Sequence, residues 1–145
     1  MGDAVAFVRG LLGTLPEFVG RVGGAAAFAE LMRQNALPQV TPAAYVIPLG
    51  LQGGVADVAV GLYRQEVREI VGVTIALRSF SKTGDRSLPE LDRLVEGVVN
   101  AIAGTAPPDA TGVFSLVRGS IVSMAAGTIV YQLEFSLSDQ LRITT

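Results

Sequence analysis

Histidine and cysteine are both missing from this 145-residue chain. The first absence removes the commonest general base and the commonest metal-ligating side chain. The second removes disulfides and thiol nucleophiles. Lys and Arg never cluster, and the formal net charge is only −2. That argues against a dedicated nucleic-acid binder, which needs a basic face to grip phosphates. Long apolar runs are missing too. The longest, 22–29 and 70–77, stop at Glu30 and Arg78, well short of the ~18 residues of a membrane-crossing helix. Asp3 precedes the apolar stretch 4–8 and Arg9 interrupts it, so no secretory leader is expected.

What is present is apolar. Half of the residues are hydrophobic and the mean hydropathy is +0.48, carried by Ala and Val rather than by aromatics. The length fits one domain, and a chain of this size buries roughly 68–70% of its unfolded surface. The apolar excess has two possible homes. One is an obligate subunit interface, which resembles a core cut in half; the other is an Ala-rich core.

Periodicity supplies the elements. Residues 3–12 predict a short helix capped by Asp3, with Phe7, Val8, Leu11 and Leu12 on one face. Residues 16–22 predict an edge strand begun by Pro16. Gly23-Gly24 predicts a turn into a second helix over 25–34, with Phe28, Leu31 and Met32 as its stripe. Strands are expected at 45–49 and 63–77, separated by a Gly-rich loop over 50–61 at the tip of a long hairpin. In the second strand Tyr63, Val67, Val71, Val73, Ile75 and Leu77 share one parity; Arg64, Glu66 and Arg68 share the other. Gly72 is expected to bend it. Ser87-Leu88-Pro89-Glu90 is a capping-box signature for a helix over 88–103, with Leu88, Leu91, Leu94, Val95, Val98 and Ile102 as its buried face. Three further strands are expected at 114–117, 120–124 and 128–137, with turns at Arg118-Gly119 and Ala126-Gly127. The expected fold is α+β: a mixed, largely antiparallel sheet, a long amphipathic helix on one face, and short N-terminal helices.

Catalytic motifs are weak. Ser79-Phe80-Ser81-Lys82 and Lys82-Thr83-Gly84 match S-x-x-K and K-T-G as strings. In penicillin-recognising enzymes these lie far apart in a larger chain and the Ser opens a helix; here they share one lysine in a turn. Glu90 and Asp92 sit beside Arg93 on a solvated helix face. Glu66 and Glu69 fall on opposite faces of their strand and do not converge. No enzymatic activity, metal or cofactor is expected.

An ordered series of short motifs runs along the chain: Leu37-Pro38-Gln39, then Pro42-Ala43-Ala44-Tyr45-Val46-Ile47-Pro48-Leu49, then Arg64-Gln65 leading into Val71-Gly72-Val73. Leu91-Asp92-Arg93-Leu94 and Tyr131-Gln132-Leu133-Glu134-Phe135 follow. Together they resemble the tail terminator proteins of long-tailed bacteriophages and related prophages, over about residues 11–141. One stretch departs from that pattern: Gly104-Thr105-Ala106-Pro107 stands where the family often carries a Gly-Trp-Pro-like sequence.

The resemblance implies a virion protein assembled in the host cytoplasm. It forms a homohexameric ring at the head-proximal end of the tail, stops tail-tube polymerisation and docks the neck or head-completion complex. DNA passes through its lumen without specific binding, and no membrane is involved. Another neck or head-completion protein, or a small cytosolic ligand-binding domain, is the alternative. On the ring reading, the Gly-rich segment and the charged half-strand are expected at subunit or tube contacts, through Gln52, Asp57, Arg64, Glu66, Arg68 and Glu69.

Overall fold

The computed structural model describes residues 3–34, 36, 38, 40–78, 87–125 and 127–144. Helix α1 (Ala4–Gly13) is followed by a 3-10 turn (Pro16–Phe18), strand β1 (Val22–Gly24) and helix α2 (Ala25–Arg33). Strands β2 (Ala43–Ala59) and β3 (Leu62–Arg78), helix α3 (Leu88–Ile102), and strands β4 (Phe114–Ala125) and β5 (Thr128–Thr144) complete the order. The sheet runs β1-β2-β3-β5-β4. Among the described residues only the β1–β2 pair is parallel; β2–β3, β3–β5 and β4–β5 are antiparallel. The fold is therefore α+β with a mostly antiparallel sheet. Helix α2 supplies the crossover that a parallel neighbour requires.

Alternation decides which face is covered. Val71, Val73, Ile75 and Leu77 of β3 join Ala44 and Val46 of β2 and Ile129, Leu133, Phe135 and Leu137 of β5 in one hydrophobic cluster. Helix α1 adds Ala4, Val8 and Leu12 to it, and α3 adds Leu91, Leu94, Val98 and Ile102. Phe7 stacks on Phe114 at the β4 end, with ring centroids 6.2 Å apart. The opposite face carries Tyr45, which is buried against Phe28 of α2.

Several expectations are corrected. Of the strand expected at 16–22 only Val22 is strand, as the first residue of β1: Pro16 opens a 3-10 turn, where its fixed φ fits the first helical position, and this buries Phe18. Gly23 and Gly24 lie in β1 rather than in a turn. Met32 is exposed and α2 buries no residue fully, so its stripe is not a core face. Asp3 and Ser87 precede their helices in right-handed helical conformation, and neither makes a side-chain capping bond. Residues 50–59 are strand, because they pair with β3 almost to the tip, leaving only Val60-Gly61 as the turn. Gly72 pairs regularly with Ile47 and Glu134. It is small because Leu49 lies over it, and an added Cβ would come within 2.9 Å of that side chain. Arg118-Gly119 is not a turn; a bulge before Arg118 lets 114–125 run as one strand. Finally, β5 continues to Thr144. The Ser79–Gly84 motifs, Leu37 and Gln39, and Ala126 of the expected Ala126-Gly127 turn lie outside the described residues.

Candidate assembly surface

Strands β2, β3 and β5 each span 17 residues, about 56 Å at ~3.3 Å per residue. Helix α3, with 15 residues, covers only about 22 Å. The sheet therefore outruns its helical layer. Residues 49–60 of β2 and its turn, 62–69 of β3 and 138–144 of β5 extend as a three-stranded arm. Every residue from Pro48 through Gly61 is exposed, including Val55 at 93%.

The arm holds all six residues singled out from the sequence. On the face away from α1 and α3, Asp57 pairs with Arg64 and Gln52 with Arg68. Arg64 in turn pairs with Arg142, Glu66 with Gln140, and Arg68 with Ser138. Glu69 stands apart on the helix-bearing face, between Leu51 and Leu137. Among the described residues the salt bridges are Arg33–Glu30 and Arg118–Glu134, so the arm's charges are not neutralised by ion pairs among those residues.

Side chains also brace the arm. Tyr63 Oη–H donates to Gln65 Oε1 at 2.9 Å, and Gln65 Nε2 donates to the Gly54 carbonyl at 2.9 Å. That bond satisfies a carbonyl where the β2 ladder is irregular between Gly53 and Ala56. Gly53 leaves room for it, since a Cβ there would meet Gln65 Nε2 at 2.6 Å.

A groove of about 460 Å³ crosses the sheet where arm and body meet. Leu49, Ile70 and Val117 give it an apolar lining, and Gln52, Arg68 and the Arg118–Glu134 pair a polar one. Contact with the Glu134 carboxylate pushes the Arg118 pKa up, so the guanidinium stays charged. No group of three or more His, Cys, Asp or Glu that could hold a metal occurs among the described residues. No helix among them is long and apolar enough to cross a membrane.

Two parts of this surface were not singled out from the sequence. One is the outer edge of β4, where Val117, Ile121, Val122 and Met124 are exposed; splitting the strand at Arg118-Gly119 hid it. The other is the end of β5, signalled by the odd-numbered Leu137, Leu141 and Ile143 continuing the alternation of Leu133 and Phe135.

A search of curated proteins finds no match to the chain. The family model described as "Phage tail terminator protein" matches residues 3–145. That match covers nearly the whole chain, arm and helical layer together, and the chain belongs to the phage tail terminator protein family.

Proposed function

We propose that six copies close into a ring at the head-proximal end of the tail tube. One face of the ring seats on the last tube ring and the other receives the neck or head-completion complex. The observation that carries this reading is the uncovered arm: a paired, braced, three-stranded extension with apolar side chains and unneutralised charges in water. Leu49, Leu51, Val55 and Val58, all exposed on one strand, are apolar surface of the kind that marks an interaction site.

Termination follows from geometry. Tube subunits stacked by head-to-tail contacts propagate until something caps them. A cap matches the tube on one side and offers no copy of the tube's surface on the other. A chain with a helix-bearing end and a bare arm presents two unlike surfaces for these two tasks. In this reading the arm residues Gln52, Asp57, Arg64, Glu66, Arg68 and Glu69 lie at subunit or tube contacts, where charges fix register more than they add affinity. DNA threads the lumen without a basic grip.

Sedimentation and negative-stain imaging of the purified protein test the ring. Particles of about six times the 15.1 kDa chain mass, with a central hole, support it. A monomer at every concentration, alone and with tube protein, counts against it.

A further inference from the structure

Among the described residues the sheet's outer edges are β4 on one side and, beyond β1, the arm half of β2 on the other. The two edges share one irregularity. On β2, the register against β3 shifts after Pro48 and again after Gly53. On β4, the register against β5 shifts after Leu116 and again after Ile121. In both strands the extra residue lies in the edge strand, and the two shifts are five residues apart (48 to 53, 116 to 121). Each bulge reverses which residues face the helices. Both edges therefore change face twice, at the same interval.

From this coincidence we infer that the β2 edge of one copy pairs with the β4 edge of the next, antiparallel, with Leu51 opposite Ile121. The inference rests on the ring reading and specifies its subunit contact. In the order β2-β3-β5-β4 each neighbour is antiparallel, so β4 runs opposite to β2. Rotation about the ring axis keeps each strand's up-or-down sense, so the two edges meet antiparallel. Within one chain Ile121 lies level with Ala44, through Tyr131 and Ile75, six ladder positions from Leu51, so this register requires strands inclined to the ring axis by about 45°, as in tilted barrels.

The alignment satisfies every face change. It sets the bulge after Pro48 against the one after Ile121, and the bulge after Gly53 against the one after Leu116. Side chains then match by character. On the helix-bearing face Leu51 meets Ile121, Ala56 meets Leu116 and Pro48 meets Met124. On the other face Gln52 meets Ser120 and Asp57 meets Ser115. Leu51 is 60% exposed in the single chain, and Leu116, Ile121 and Met124 are each 45% exposed; the pairing covers all four.

Lengths agree as well. Strand β1 occupies the β2 edge only as far as Val46. In this register the last residue of β4, Ala125, falls opposite Ile47, the first position beyond the β1 pairing. Unpaired edges invite indiscriminate pairing, and bulges are a common protection. A flat strand cannot follow either edge past a bulge, whereas a strand bulged at the same interval can. The matched bulges thus admit a second copy and exclude other strands.

The absence of cysteine makes the test direct. Directly opposite residues place their Cβ atoms about 4.5–5.5 Å apart, near disulfide range. Single variants Leu51→Cys and Ile121→Cys are mixed and oxidised, and separately Gln52→Cys and Ser120→Cys. Both pairs are used because adjacent positions alternate between wide and narrow spacing. Within one chain the two edges lie three strand spacings apart, about 14 Å, so the Leu51→Cys/Ile121→Cys double variant cannot bridge internally. The expected result is a mixed disulfide dimer in at least one pair, none from either single variant alone, and a ladder ending at the ring in the double variant. Dimers of one variant with itself overturn the proposal in favour of two-fold pairing. No cross-link in a protein that still sediments as a ring overturns the proposal and leaves the ring intact. No cross-link in a protein that stays monomeric overturns both.

Discussion

Arg64 stands directly opposite Arg142 across the β3–β5 ladder, with Asp57 on Arg64's other side in β2. Like charges placed opposite each other weaken a sheet pair. Arg142 Nε donates to Gln140 Oε1 at 2.7 Å, which orients the guanidinium without neutralising it. The Asp57–Arg64–Arg142 row thus keeps a net positive charge, which an acidic group on another subunit or on the tube would complement.

Charge reversal at Arg64 and Arg68 is expected to leave the fold intact and to reduce assembly. Neither side chain contributes to the hydrophobic cluster, so the stability of the monomer should stay within the roughly ±0.5 kcal/mol typical of surface substitutions. Sedimentation of the same variants should show loss of the ring or of tail attachment. Unchanged assembly would remove these residues from the contact.

Arg142→Gln is expected to stabilise the isolated arm by about a few tenths of a kcal/mol, the scale of a cross-strand pair. Amide exchange in 138–144 should slow. Faster exchange would mean that Arg142 supports the arm in a way its pairing does not account for.

Core and arm should respond oppositely to truncation. Ile102 is fully buried, and Ile102→Ala should cost about 2–5 kcal/mol. Val55 is almost fully exposed, so Val55→Ala should change monomer stability little, whereas Val55→Asp should impair assembly. Denaturant titration paired with a size measurement separates the two effects.

Tyr45 provides a pH signature. Burial raises its pKa above the usual 10.0, because the phenolate is disfavoured away from water. With the folded pKa above the unfolded one, its stabilisation is complete below about pH 10 and is lost as pH rises through the folded value. Tyr45→Phe should remove that alkaline loss. An identical alkaline profile in the variant would assign the loss elsewhere.

Much of the sheet's interior was legible because alternation is a local signal: Val71, Val73, Ile75 and Leu77 declare one face without help from neighbours. Helix α3 was equally plain from Leu91, Leu94, Val98 and Ile102. The arm was harder to read. In 50–59 the glycines and the doubled bulge break the alternation that identifies a strand, and what holds the segment extended is pairing with β3 and the Gln65 bond to Gly54. The same cause split β4, since the bulge before Arg118 reverses the pattern there. The charged residues of the arm were visible individually. Their cross-strand partners depend on register, which a bulge sets and a sequence pattern does not reveal.

On the proposed reading this chain ends the tail. Electron microscopy of lysates in which the encoding phage or prophage lacks this protein decides whether it does. Tail tubes of uncontrolled length, detached from filled heads, are expected. Tails of normal, uniform length joined to filled heads would overturn the reading.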